Sequence, residues 1–580
     1  MSTKTHSHSH DEHDHGARIT QARGWWYVLF ALTVATLGFG LFSFYNEEHY
    51  GTIVTGMRTP GYGGASWGLY IVFVVFYIGV SFAGIVVAAL ARLLDIKELA
   101  PVSRMAELLT LTALVSGATC VLADLGRPVW GIMTLPRLVN PSSPFFGTFT
   151  LVVSGYMFSS AVYFFLAGRA DAAAMAKKST GLLRLFHIVW ASGYKDLPSH
   201  RRRHRAISFV LSLGILPLLL VAHSTLGFVF GIQSGRPGWF SALQAPGFVV
   251  LAGVSGTGML IILTLVFRWL FRLHDQIEDK TIVWLGNFMC VLAAVYLYFM
   301  VAEELTATYA APAAERAIAH EIVTGRFALL FWATALCLLT AFIIPFLFYL
   351  RGKSSMLWLG IAGALANVAA VGKRIIIVVP SQTHGAFVKL EPGSYWPTWV
   401  EIGVVAGLAA IAGVVLLVFG RVFPLVPSHH APDPVVHPAP RESTWRYLAT
   451  GVTFFTSVAL IVVGLLDSFR VFSPAEIDPR VPFAPVIFAS GVMLLFISAI
   501  VYEVFPEPKV EPWEEPRHRD LPDFSWDTGY MVEEKLHADD SRRVARLAID
   551  VETALRNGEQ ALALDRLHAL QKLASRMAVE

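Results

Sequence analysis

Two ionisable residues, Asp124 and Arg127, end an apolar run of membrane-spanning length in the stretch 120–128. Charges inside a bilayer are costly, and ionisable residues at that depth often mark a functional site. A carboxylate can accept or donate a proton, and a nearby guanidinium can keep it ionised and stabilise an anionic intermediate. The pair therefore predicts proton-exchange chemistry at the edge of the apolar zone.

Further ionisable residues recur at the same depth in other apolar runs. A quinone suits such a set, because its apolar tail enters from lipid while its head group exchanges electrons and protons. An imidazole and a carboxylate can hydrogen-bond the head-group oxygens and carry those protons. We expect Asp124 and His223 to be the catalytic residues. The expected quinone ligands are Asp124, Arg127, His223, Glu303, Arg374 and His384.

Each candidate also has a structural explanation. Asp124 and Arg127 are three residues apart, so on one helical face they could simply pair with each other. The imidazole of His223 could be satisfied by a hydroxyl or carbonyl group in the core. Glu303 could be solvated at the membrane surface, and Arg374 could extend to the lipid head groups. The coincidence of these groups at one depth favours a shared site.

The composition is that of a membrane protein. Of 580 residues, 55% are hydrophobic and 15% are charged, and the mean hydropathy is +0.57. A soluble domain has about 25% charged residues. The net charge of +3 is too small to indicate a nucleic-acid partner. Cys120, Cys290 and Cys337 show no CxxC or CxxCH spacing, so we expect neither a haem nor an iron–sulfur cluster on this chain.

Apolar runs of about 20 residues predict an all-α, polytopic bundle of about twelve transmembrane helices. The first run has no small-residue cleavage pattern and is kept as a helix. Ionisable residues are almost absent from the middle and inner sections, where Glu107 is the isolated candidate. The predicted spans lie near residues 25–45, 67–91, 105–123, 145–167, 206–231, 246–266, 281–302, 327–350, 356–379, 399–419, 447–469 and 483–504.

The orientation follows from the lysine and arginine residues in alternate loops. With the N-terminus inside, and with the C-terminal tail left out of the count, the inner segments hold 23 of these residues and the outer segments hold 9. The positive-inside rule then predicts that both termini are cytoplasmic, in a bacterial inner membrane. On this topology the ionisable site faces the outer leaflet.

We expect five segments, of which the boundary at residue 425 comes from the family resemblance given below. They are a His-rich cytoplasmic tail (1–24), a transmembrane quinone-binding domain (25–425), a cytoplasmic linker (426–446), two additional transmembrane helices (447–504), and a Pro-rich linker with a helical tail (505–580). The N-terminal histidines could bind a transition metal, but such tails are more often disordered, so no metal site is assigned.

Several short motifs follow one another along the chain. They are Trp67-Gly-Leu-Tyr70, Asp124-Leu-Gly-Arg-Pro128, Ser143-Pro144, Pro217 to His223, Arg236-Pro-Gly-Trp239 and Lys373-Arg374. Together they resemble the NrfD/PsrC family of integral membrane subunits, which includes polysulfide reductase-like and alternative complex III-like quinol-oxidising subunits. The similarity spans roughly residues 25 to 425.

The resemblance implies a ten-helix core with two four-helix bundles, followed here by two extra helices. It implies menaquinone or ubiquinone as substrate, with no haem or iron–sulfur cluster in this chain. Electrons would pass to a four-cluster ferredoxin-like iron–sulfur subunit that leads to a molybdopterin enzyme, or to a multihaem cytochrome. By the same similarity Asp124 lies near the quinone head group with Arg127 beside it.

One departure concerns the acids of the site. Relatives often continue the Ser-Pro motif with a tryptophan and an acidic residue, whereas Phe145 to Thr148 follow here. A second carboxylate is therefore missing, and Glu303 or His384 could substitute for it.

A secondary transporter is the alternative class, because twelve helices with both termini inside fit it too. The position of the charges at one edge, and the lack of a convincing repeat between the halves, favour the quinone-linked subunit.

Overall fold

The computed structural model describes residues 22–57, 65–94, 96–138, 150–195, 198–383, 394–427, 444–468 and 484–505, with short pieces between 547 and 570. Every regular element in these ranges is helical. Eleven of the helices are long and apolar enough to cross a membrane. The predicted all-α polytopic fold is thus confirmed.

The helices follow the predicted spans closely, with short non-spanning helices between them. About twelve spans were predicted, and the fourth of them corresponds to α5, which continues past Ala167 to Lys178 and is not among the eleven. The helices are α1 (Trp25–Tyr50), α2 (Leu69–Leu93), α3 (Ser103–Asp124), α4 (Pro128–Leu138), α5 (Thr150–Lys178), α6 (Gly181–Ala191), α7 (Pro198–Gly231), α8 (Gln244–Leu270), α9 (Asp279–Tyr309), α10 (Ala313–Val323), α11 (Ala328–Arg351), α12 (Met356–Val378), α13 (Pro380–Thr383), α14 (Trp399–Val422), α15 (Thr444–Ser468) and α16 (Ala484–Val504).

Eight of the long helices form two rings of four. In the first bundle, α2 contacts α3 and α7, and α5 contacts the same two helices from the opposite side. In the second bundle, α8, α9, α11 and α12 contact one another in that order, and α12 closes the ring on α8. The bundles pack together mainly through α2 and α7 against α8. This is the arrangement that the family resemblance implies.

The remaining spans pack around these bundles. α1 lies against α14, and their backbones approach closely at two glycines: a Cβ atom on Gly40 would lie 2.3 Å from the Cα of Gly407. Such contacts between small residues are typical of membrane helices. α15 and α16 pair with each other, and α16 contacts α5 and α7. Arg169 of α5 anchors α16 through an ion pair with Glu503 (2.9 Å).

The end of the first bundle opposite Asp124 contains buried ion pairs, so the expectation of Glu107 as an isolated acid was wrong. Glu107 pairs with Arg92 (2.7 Å) and lies 3.9 Å from Arg104, and Arg104 in turn pairs with Asp171 (2.8 Å). These residues come from α2, α3 and α5. Each charge has a partner on another helix, which offsets the cost of burial.

Candidate functional site

Asp124 is the last residue of α3, and its side chain is buried. The backbone leaves the helix at Gly126, whose φ of +68° suits glycine. Arg127 follows this turn and is exposed. The two residues therefore do not share one helical face, which the structural explanation of the pair required.

Two further acids lie close to Asp124. Glu47 of α1 is buried, and the charges of Glu401 and Asp124 both act on its carboxylate. Glu401, at the start of α14, is also buried. We call Glu47, Asp124 and Glu401 the carboxylate cluster. It brings together the ends of α1, α3 and α14.

Two tyrosines hold this cluster. Tyr70, at the start of α2, donates a hydrogen bond to Oε2 of Glu47 (2.6 Å). Tyr395 donates to Oε1 of Glu401 (2.8 Å) and accepts from the backbone N–H of Leu69 (2.6 Å). Burial, and then the adjacent Glu401 carboxylate, raise the pKa of the Tyr395 phenol. Tyr395 therefore remains a hydrogen-bond donor.

Glu401 has a structural role within the cluster. Its Oε2 atom accepts hydrogen bonds from the backbone N–H groups of Gly56 (2.8 Å) and Thr398 (3.1 Å). The second of these bonds belongs to a capping box at the start of α14. Both oxygens of Glu401 are thus used by the protein, so this acid is held in place by its own hydrogen bonds.

His223 lies in the core of the first bundle and is bonded to backbone on both sides. Its Nδ1 atom is 2.8 Å from the carbonyl oxygen of Leu219, and its Nε2 atom is 2.7 Å from that of Ile78 in α2. A neutral imidazole has only one N–H group. Either the ring is doubly protonated or one lone pair faces a carbonyl oxygen. The arrangement matches the core imidazole anticipated as its structural explanation, and its catalytic role stays a prediction.

Glu303 belongs to a second polar group, in the second bundle. Its Oε2 atom lies 2.7 Å from the Nζ atom of Lys373 in α12, and its Oε1 atom accepts a hydrogen bond from Gln244 (3.1 Å). The Lys373 side chain is only 3% exposed. The lysine therefore points inward to an acid instead of extending to the lipid head groups.

Arg374 is also buried, and its guanidinium carbon lies 4.0 Å from the centre of the Phe248 ring. Among the described residues its Nη1 atom has no hydrogen-bond partner. Its charge also acts on His223 across the bundle interface. A buried cation held mainly by a ring is suited to an anionic or electron-rich ligand.

A row of aromatic rings runs from Arg374 to the start of α2. Phe248 packs on Phe230 (5.7 Å between ring centres), Phe230 on Trp239 (5.1 Å), and Trp239 stacks on Trp67 (5.4 Å). Trp67 precedes Tyr70, which contacts the carboxylate cluster. The aromatic row (Trp67, Phe230, Trp239 and Phe248) thus lies between Arg374 and the acids.

The predicted site residues are therefore distributed over three places. Asp124 lies in the carboxylate cluster, His223 and Arg374 interact across the bundle interface, and Glu303 is paired with Lys373. Arg127 is exposed, and His384 lies outside the described residues, as do Ser143 to Thr148. No set of His, Cys, Asp and Glu side chains suited to a metal ion occurs in the described ranges.

Glu47 and Glu401 were not predicted as site residues, and Tyr70 was noted only as part of the family motif that begins at Trp67. Glu47 ends the first span as Glu303 ends the seventh, so the same depth argument would have selected it. Glu401 follows Thr398 at the spacing of a capping box, which gives no hint of the acids nearby.

These features define a polytopic helical membrane protein with a buried group of ionisable residues at one end of its bundles. The chain belongs to the NrfD family: the profile described as polysulphide reductase, NrfD, matches residues 58–386, more than half of the chain. The match confirms the resemblance seen in the motifs.

Three relatives extend the comparison. A protein of Halobacterium salinarum, provisionally named as a membrane subunit of dimethyl sulfoxide reductase, is 28% identical over 71% of this chain and 93% of its own length. A selenate reductase subunit of Mesobacillus selenatarsenatis is 26% identical over 64% of this chain and 91% of its own length. The Hdr-like menaquinol oxidoreductase integral membrane subunit of Archaeoglobus fulgidus is 23% identical over 69% and 94%, respectively.

Proposed function

We propose that this protein is the quinone-binding membrane subunit of a respiratory oxidoreductase complex. It exchanges electrons between the quinone pool and a redox partner, and it is not catalytic alone. The observation that carries the proposal is the burial of Asp124 beside Glu47 at one end of the first bundle. Family membership, and relatives named as reductase and menaquinol oxidoreductase subunits, support it.

Asp124 is the proposed contact for the quinone head group. A carboxylate at this depth can accept the hydroxyl proton of a quinol or return it to a quinone. Arg374 stays a predicted ligand: its buried guanidinium carries an unmet hydrogen-bond donor within the described ranges, and the aromatic row separates it from the acids. Arg127, His223, Glu303 and His384 remain predicted ligands.

The electrons must pass to another subunit on this proposal. The predicted partner is a four-cluster ferredoxin-like iron–sulfur protein, with a molybdopterin enzyme or a multihaem cytochrome beyond it. The loop charges support cytoplasmic termini in a bacterial inner membrane, so the carboxylate cluster lies at the outer leaflet. Menaquinone and ubiquinone are both candidate substrates.

The test is quinol oxidation by the complex purified with its native partners. Asp124→Asn removes the proton acceptor but keeps the shape of the side chain, so turnover should fall at least about tenfold while assembly is retained. Asp275→Asn, an identical change at an exposed position, is the matched control and should leave turnover unchanged.

Normal turnover in Asp124→Asn would rule out this site. Purification without any redox partner, together with solute uptake by the protein in vesicles, would favour the transporter class instead.

A further inference from the structure

Glu47 occupies a position where helix packing needs no acid. α1 is a peripheral helix, and only Gly40, Ser43 and Glu47 are buried along it. The first two are small residues that let α1 approach α14 closely. Glu47 continues the same stripe one turn later with a carboxylate that is 1% exposed. An apolar residue would fill this position without the cost of burying an ionisable group.

The hydrogen bonds of Glu47 leave one oxygen available. Oε2 accepts the Tyr70 hydroxyl, whereas Oε1 is buried and has no hydrogen-bond partner among the described residues. The ion pairs formed within those ranges do not include Glu47. A buried carboxylate oxygen without a donor is costly in a purely structural role.

Glu47 has two acidic neighbours. The charges of Asp124 and Glu401 both act on it, and Glu401 is fixed by its own hydrogen bonds to Gly56 and Thr398. Closely spaced carboxylates in an apolar setting do not all ionise together, so they share protons. Glu47 and Asp124 are the two members able to exchange them.

We infer that Glu47 is the second carboxylate of the quinol site and that it receives one of the two quinol protons at Oε1. This inference rests on the proposed function. It also supplies the acid that is missing after Ser143-Pro144, from α1 instead of α4 or α5. Glu303 is less suited to that task, because Lys373 and Gln244 use both of its oxygens.

Both quinol O–H bonds break in succession: one proton passes to Oε1 of Glu47 and leaves to water at the outer surface before the other passes to the Asp124 carboxylate, so the two acids need not be ionised together. Two electrons pass in succession to an iron–sulfur cluster or haem of the partner subunit, and the quinol becomes a quinone. Tyr70 keeps its own proton and holds Oε2 of Glu47 in position. Quinone reduction is the same step in reverse.

The test compares Glu47→Gln with Glu48→Gln in the purified complex. Glu48 is the next residue of α1 and is exposed, so it controls for the chemical change. With decylubiquinol and menadiol as substrates, Glu47→Gln should lower turnover at saturating quinol by about 100-fold, within the range of acid–base catalysis. Binding of a hydroxyquinoline N-oxide inhibitor should change less than about threefold, since the side-chain shape is preserved.

A second readout does not depend on turnover. Infrared difference spectra of inhibitor binding should contain a carboxyl C=O band that is lost in Glu47→Gln and kept in Glu48→Gln. Tyr70→Phe keeps the acid and removes only the hydrogen bond to Oε2, so it should shift that band and lower turnover several-fold. This variant also tests the inference if Glu47→Gln fails to assemble.

Wild-type turnover in Glu47→Gln would overturn the inference, and so would an unchanged carboxyl band in both Glu47→Gln and Tyr70→Phe. If Asp124→Asn is inactive while Glu47→Gln is not, the proposed function stands and only the role of Glu47 fails. If the wild-type complex neither binds the inhibitor nor oxidises quinol, the proposed function itself fails.

Discussion

Replacing Lys373 by methionine removes the cation that neutralises Glu303 between α9 and α12. The Nζ atom is 2.7 Å from the carboxylate, and the two side chains are 3% and 21% exposed. Removing one partner of a buried pair costs about 3–5 kcal/mol, because the remaining charge is uncompensated. Glu303 keeps its bond from Gln244 and some contact with solvent. We therefore expect the lower limit, a loss of about 3 kcal/mol in the free energy of unfolding.

Replacing Glu303 instead of Lys373 should lower the free energy of unfolding by a larger amount. Glu303→Gln leaves the lysine ammonium almost fully buried without a counter-ion, so we expect a loss of about 4–5 kcal/mol. The double variant Lys373→Met/Glu303→Gln removes both charges and should lie within about 1 kcal/mol of wild type, since neutral replacement of a buried pair is often tolerated. Wild type, the two single variants and the double variant form a double-mutant cycle, which gives the interaction free energy of the two side chains.

The assay is reversible unfolding in mixed micelles by titration with sodium dodecyl sulfate, followed by circular dichroism. If the losses in the free energy of unfolding of the two single variants simply add in the double variant, the two charges do not compensate each other and the prediction is wrong. Quinol turnover of the double variant then separates two roles of Glu303. If the double variant is stable but does not oxidise quinol, Glu303 remains a predicted quinone ligand. If its turnover is normal, the pair has only a structural role.

Two other predictions concern the turns that position the site. Gly126→Ala should destabilise the protein by about 1–2 kcal/mol and lower quinol turnover. The substitution forces a Cβ atom into a left-handed turn and places it within 2.7 Å of the Thr52 methyl group. Gly38→Ala, at an open position on α1, is the control and should be neutral in the same unfolding and turnover assays. Burial, which the hydrogen bond from the backbone N–H of Gly238 only partly offsets, raises the pKa of Glu315 outside the spans. The carboxyl group of Glu315 therefore holds its proton more tightly in the folded than in the unfolded state. Its contribution to the free energy of unfolding should be present at low pH and be lost as the pH rises through the folded-state pKa. Glu315→Gln should remove this dependence in unfolding titrations at several pH values.

The membrane-spanning architecture could be predicted from the sequence, because apolar length and depth are properties of single helices. The end of α3 at Asp124 follows in this way from the apolar run before it and the Gly126 turn after it. The short helices α4, α6 and α10 were not predicted, because eleven residues are too few for a spanning run.

Contacts between helices could not be predicted in the same way. Arg104 and Glu107 are close in sequence, but Arg92 and Asp171, which complete their network, come from α2 and α5. Glu47 could have been selected by depth, but its acidic neighbours Asp124 and Glu401 lie far away in the chain and could not. The position of a residue along its helix shows how deep it lies in the membrane and so identifies it as a candidate. The residues of other helices that contact it are known only once the packing of the bundle is known.

The central claim is that a quinone head group binds beside Asp124. Photoaffinity labelling of the purified complex with an azidoquinone, followed by mass spectrometry of the peptides, tests it most directly. We expect labels on peptides that contain Glu47, Tyr70 or Asp124, displaced by excess quinone and strongly reduced in Asp124→Asn. Specific, displaceable labelling elsewhere in the protein, with none at these three residues, would contradict it.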